Sequence, residues 1–186
     1  VFPREFHRDG GTHLDTPDCE VSSSAFYDRL RQGSSSTTSQ LSPDFLMNAL
    51  RPMLQEGREL LYIAFSSGLS GTYNSACIAR DALLEEFPGA HLVVVDSLCA
   101  SAGEGLLVYH ALENRRAGMS LAENAAWLES HTLHLAHWFT VADLHFLNRR
   151  GRVPPAAASF VPPVNRHPVL PLAPDCPPLP PSNGRG

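Results

Sequence analysis

Residues 64–76 read AFSSGLSGTYNSA. Three serines and two glycines stand between an apolar run, ELLYIAF at 59–65, and a helical pattern that begins near Thr72. The first turn of a helix has unpaired backbone N–H groups and carries the positive end of the helix dipole. Gly68 and Gly71 let a ligand approach the backbone, and Ser66, Ser67 and Ser70 add hydroxyl donors. Two readings follow. The stretch is a cradle for an anion, phosphate or carboxylate, or it is a turn in which Ser70 closes the helix start. The chemistry of the stretch alone leaves both open.

Working outward, residues 59–66 form a short buried strand and Thr72 to Phe87 a helix with Ala76, Ala79, Leu83 and Leu84 inward, closed by Pro88-Gly89. HLVVVD at 91–96 is a second strand, and its continuous apolar run suits a parallel strand covered on both faces. ASAGEGLLVYHALENRRAG follows as a helix ending at Gly118, and Ser120 caps another helix to about Ser130. LHLAHWFTV at 133–141 reads as a third strand and ADLHFLNRRG as a short helix. On the N-terminal side, Ser22–Gln32 is helical, GSSSTTSQ at 33–40 is a polar loop, and SPDFLMNALRPMLQEG is a helix with Ser42 as cap, Pro43 at its first position and a kink at Pro52. The alternation gives an α/β fold, a three-layer sandwich with a mainly parallel sheet. Ligands of such folds bind beyond the carboxyl ends of the strands. Here those ends lead into SSGLSGT and DSLCASAGEG.

The chain has 186 residues, 43% of them hydrophobic, and a formal charge of −5. All fourteen basic residues are arginine. No basic stripe is present, so nucleic acid is not the expected partner. No apolar run reaches the length of a membrane span. No secretory leader opens the sequence, and the chain is expected to lack its true start, since it begins with Val1. The four cysteines, at 19, 77, 99 and 176, have no CxxC spacing, so reduced thiols in the cytoplasm are expected. Five of sixteen prolines lie in residues 1–153 and eleven in 154–186. The last segment is therefore expected to be extended and weakly ordered.

Other motifs carry less. Around Ser70 the order is Gly68-Leu69-Ser70-Gly71, so the second glycine comes one place too early for a G-x-S-x-G nucleophile elbow. A hydrolase using Ser70 on an ester or phosphate remains the alternative enzyme reading. GEG at 103–105 has Val108 where a dinucleotide fingerprint needs glycine. The absence of lysine excludes a Walker motif. His131, His134 and His137 form an HxxHxxH run, but a strand would place His134 and His137 on opposite faces, so no shared metal is expected. Asp96, at a strand end, is either catalytic or a brace for the loops.

Four segments, TSQLSPDFL (38–46), SSGLSGTYNSA (66–76), VVDSLCASAGEGLLV (94–108) and FTVADLHFLNRRGRV (139–153), resemble the DegV family in order and spacing. RDGGTHLDTPDCEVSSSAFYDRL is similar to the segment preceding them, and the resemblance covers residues 8–153. It implies a fatty-acid-binding protein, the lipid-carrying subunit of a bacterial fatty acid kinase, and no catalytic residue, cofactor or metal of its own. Thr38 and Ser70 would hold the carboxylate of a long-chain fatty acid, with Ser67 and Gly71 beside them. Arg152, in Arg150-Gly151-Arg152, where the family has GGR, would be a head-group neighbour. A partner kinase subunit would supply ATP, and lipid exchange implies transient membrane contact. Residues 1–153 correspond to the DegV-like α/β lipid-binding domain without its first strand. Residues 154–186 correspond to a proline-rich, truncated or degenerate start of a second domain that would supply the other tunnel wall. A non-functional fragment is the remaining alternative.

Overall fold

The computed structural model describes residues 5–8, 11–14, 22–141, 147 and 169–171. In chain order the elements are β1 (Glu5–Arg8), β2 (Gly11–Leu14), α1 (Ser23–Arg31), β3 (Ser36–Thr38), α2 (Pro43–Gln55), β4 (Leu60–Ala64), α3 (Thr72–Glu86), β5 (Leu92–Asp96), α4 (Ala102–Arg116), α5 (Leu121–His131), a 3₁₀ turn at Thr132–His134, β6 (Trp138–Thr140) and β7 (Val169–Pro171).

The centre is the parallel pair β4–β5, in register from Leu60↔Leu92 to Ala64↔Asp96. A period of two divides its side chains between two faces. Leu60, Tyr62, Leu92 and Val94 pack with Leu46, Leu50 and Leu54 of α2 and Ala76, Ala79 and Leu83 of α3. Leu61, Ile63, Val93 and Val95 pack with Leu107 and Ala111 of α4 and Ala125 and Leu128 of α5. Helices thus cover both faces, the three-layer α/β arrangement that the buried LVVVD run implies.

The caps match the sequence. Ser42 Oγ accepts the N–H of Phe45 at 3.1 Å, and Ser120 with Glu123 forms a capping box at the start of α5. Leu46, Leu50 and Leu54 form the buried stripe of α2. That helix continues through Pro52, where a kink was expected. Pro52 is exposed and lies one turn from the C-terminal end, so the helix forfeits a single ladder bond there.

Three expectations need correction. The polar stretch 33–40 is not all loop. Ser36–Thr38 is a strand pairing antiparallel with β1, which also pairs with β2 in the order β2-β1-β3. The strand expected at 133–141 is only Trp138–Thr140, and it pairs antiparallel with β7 instead of joining the parallel pair. Its first half is consumed by the 3₁₀ turn. Buried Thr132 donates its hydroxyl to the Leu128 carbonyl at 2.8 Å and so prolongs α5. Within the proline-rich segment, Val169–Pro171 is extended as expected, and it is also paired, with Pro171 at a strand end, where proline is tolerated. The short helix expected at 142–151 falls outside the described residues except at Leu147, which is helical. Among the described residues, no helix is long and apolar enough to cross a membrane, and Cys77 and Cys99 are free thiols.

Candidate functional site

Because β4 and β5 end in register, their following loops leave side by side. The ladder continues beyond the strands. Ser97 N–H donates to the Ala64 carbonyl and Ser66 N–H to the Cys99 carbonyl, both at 3.0 Å. Asp96 joins the loops as well. Its Oδ1 accepts the Ser67 N–H at 3.1 Å and the Leu98 N–H at 3.0 Å. Of the two roles open to Asp96, its contacts are those of a brace. Inside the second loop, Ser97 is buried and trades hydrogen bonds with Cys99, donating its hydroxyl to the Cys99 carbonyl and accepting the Cys99 N–H. Leu98 and Ser101 hold positive φ of 48° and 51°. Such conformations cost roughly 1–3 kcal/mol each in non-glycine residues and persist only where neighbours enforce them.

Beyond these strand ends lies a cavity of about 1020 Å³, lined by Phe65 and segments 38–40, 67–72, 100–103 and 136–139 together with Leu106 and Leu147. Ligand sites typically span roughly 300–1,000 Å³, so the volume suits a substantial small molecule. Thr38, Ser67, Ser70 and Gly71 all line it. Arg152 lies outside the described residues. No Arg, Asp or Glu lines the cavity among the described residues. Its polar part consists of hydroxyls, amides and one imidazole. Its apolar part includes Phe65, Leu69, Leu106, Trp138 and Phe139.

The two signature motifs touch. Gly71 has φ −72°, an ordinary value for any residue, so its lack of a side chain is not a matter of backbone freedom. A Cβ there would collide with the Gln40 side-chain amide. TSQ is anchored from its other side, where His7 Nε2 bonds Ser39 Oγ at 2.5 Å. Ser70 Oγ bonds Thr72 Oγ1 at 3.0 Å and accepts the Thr72 N–H at 3.3 Å. The serine therefore accepts an N–H at the start of α3, as the turn reading expects, and also lines the cavity.

Among the described residues, no histidine or carboxylate hydrogen-bonds Ser70. The three histidines part company. His131 stacks on Trp127 with centroids 3.9 Å apart, His134 meets His131 edge-on, and His137 turns to the cavity. No group of three metal-ligating side chains exists among the described residues. His137 Nε2 lies 3.4 Å from Cys99 Sγ, and burial holds the imidazole below its ordinary pKa. Burial foremost, then Glu104 and Asp96, pushes the Cys99 thiol up to about 12. The pair is thus neutral thiol and neutral imidazole, the opposite of an activated cysteine. His137 and its neighbours Trp138 and Phe139 were missed as site residues. The partner that gives His137 its meaning, Cys99, is remote in sequence and carries no local signal.

Fold and cavity together define an α/β protein whose cavity, with polar and apolar lining, lies at the ends of its parallel strands. The chain belongs to the DegV family. The family model described as "Uncharacterised protein, DegV family" matches residues 8–173. A DegV domain-containing protein of Clostridium perfringens is 41% identical over 152 residues, covering 82% of this chain and 52% of that one. One from Lactococcus lactis is 42% identical over 146 residues, covering 78% and 50%. A fatty-acid-binding DegV family protein of Thermus thermophilus superposes with a TM-score of 0.77 at 35% identity, covering 92% of this chain and 59% of that one. The chain spans about half the length of the curated relatives it matches.

Proposed function

We propose that this chain binds a long-chain fatty acid and presents its carboxylate to a separate kinase. One observation carries the reading. Thr38 and Ser70, on loops far apart in sequence, line a single cavity whose wall carries both neutral donors and apolar side chains. The fatty acid binding of the Thermus thermophilus relative supports the choice of ligand. The carboxylate sits against the Thr38 and Ser70 hydroxyls near Ser67 and Gly71, with Arg152 as a further neighbour. The acyl chain runs along Phe65, Leu69 and Leu106. Each buried CH₂ contributes about 0.8 kcal/mol, so the chain supplies most of the affinity and the hydroxyls the orientation.

The Thr38 and Ser70 hydroxyls hold the carboxylate without protonating it. In the proposed reaction one carboxylate oxygen attacks the γ-phosphorus of ATP on the partner, ADP leaves, and an acyl phosphate forms. This chain supplies no catalytic group and acts as a cytoplasmic carrier that loads from a bilayer. Residues 1–153 are the binding domain and 154–186 the start of a second one that closes the cavity.

Delipidated protein titrated with oleate tests the binding. A hydrogen bond to a charged group is worth about 1.5–3 kcal/mol, so Thr38→Ala and Ser70→Ala should each weaken oleate by about tenfold or more. Absence of oleate binding by the unaltered chain, or full affinity in both variants, sinks the proposal.

A further inference from the structure

His137 stands in the cavity wall with one nitrogen engaged and, among the described residues, one not. Nε2 faces the Cys99 thiol at 3.4 Å. Thiol sulfur is a weak acceptor, whereas an unprotonated imidazole nitrogen is a strong one. The favoured bond is therefore S–H to Nε2. Cys99 is 1% exposed and its thiol is held protonated, so the donor is always present near neutral pH. With Nε2 accepting, the ring proton of a neutral imidazole belongs to Nδ1. Among the described residues, Nδ1 has no hydrogen-bond partner. The ring also has a fitted seat. A Cβ on Gly103, in the first turn of α4, would collide with Cε1 and Nδ1. Gly103 lines the same cavity as Thr38 and Ser70.

We propose that His137 is a ligand-contacting residue, its tautomer fixed by the Cys99 thiol so that Nδ1–H donates to the acidic head group in the cavity. An uncharged imidazole adds a directional donor to those of the hydroxyls. It also separates an anionic head from a neutral one, because a hydrogen bond to a charged acceptor is about twice as strong as a neutral one. Half-burial of a donor with no partner among the described residues is what a site awaiting a ligand acceptor requires.

The inference rests on the fatty acid reading, and two ligands separate their failures. Delipidated full-length chain is titrated with oleate and with methyl oleate, and the variants His137→Phe and His137→Asn are titrated alike. Phe keeps the wall and removes the donor. Asn retains an N–H close to the position of Nδ1. The expected result is an oleate affinity about tenfold lower in H137F, a change of about twofold or less for methyl oleate, and recovery in H137N. A loss equal for the two ligands, or no loss, overturns the inference while leaving fatty acid binding intact. If the unaltered chain binds neither ligand, the functional reading fails and this one with it. Nitrogen-15 spectra of the imidazole rings need no stable variant. The Nδ1-protonated tautomer and a shift of Nδ1 on adding oleate are expected, and an Nε2-protonated ring overturns the assignment.

Discussion

Asp96 holds Ser67 by its backbone. Oδ1 accepts the Ser67 N–H at 3.1 Å and, with the same oxygen, the Leu98 N–H at 3.0 Å. One carboxylate at the end of β5 thus fixes both cavity loops. Hydrogen bonds to charged groups contribute roughly 1.5–3 kcal/mol each, and their backbone donors are left unpaired when the acceptor goes. Asp96→Ala should therefore lower stability by about 2–4 kcal/mol, with a parallel fall in oleate affinity. Asp96→Asn keeps an acceptor oxygen and should cost less than half as much. Urea unfolding at constant m-value checks the pair. Equal losses in the two variants would assign the effect to something other than acceptance by that oxygen.

Gly71 and Gln40 are a second such pair, joining SSGLSGT to TSQ. Alanine at 71 meets the end of a flexible side chain, which can swing aside. Backbone strain plays no part at φ −72°. Gly71→Ala should then destabilise by only about 1 kcal/mol, at the low end of overpacking costs. Ligand binding should suffer more, by about tenfold, since the displaced Gln40 amide turns into the cavity it lines. In the double variant Gly71→Ala/Gln40→Ala the clash is gone, and stability should recover most of the loss. Simple addition of the two single effects would show that the side chains do not interact.

The centre of the fold was legible because its signals are local. LVVVD at 92–96 and the Ser42 and Ser120 caps each state their role within a few residues. The edges were not, since pairing there depends on remote partners. Ser36–Thr38 is polar and short, and it becomes a strand only through β1. Asp9-Gly10, between β1 and β2 in sequence, is the dipeptide that favours a tight hairpin, a signal that went unread. Trp138–Thr140 depends likewise on Val169–Pro171. The site divides along the same line. Ser67, Ser70 and Gly71 announce themselves as a glycine-serine loop before a helix. Thr38 needed the family resemblance, and His137 needed the contact with Cys99.

The start of α5 offers a measurable pH effect away from the cavity. Glu123 accepts the Ser120 hydroxyl at 2.7 Å and the Ser120 N–H at 2.8 Å through Oε2. Those two bonds, the hydroxyl first, hold its pKa below the ordinary value of 4.5. A carboxyl whose pKa is lower in the folded state binds fewer protons there than in the unfolded chain. Its stabilising contribution is complete above pH 4.5 and is lost as pH falls through the lower folded value. Glu123→Gln removes the titration and keeps an acceptor oxygen. The melting temperature of the unaltered chain should exceed that of the variant at pH 7, and the gap should close between about pH 4.5 and the lower folded value. Ser120→Ala should remove only part of the pH-dependent portion, because it deletes the hydroxyl bond and leaves the backbone N–H bond in place. A gap that stays constant as the solution is acidified would place the stabilisation elsewhere than in the capping box.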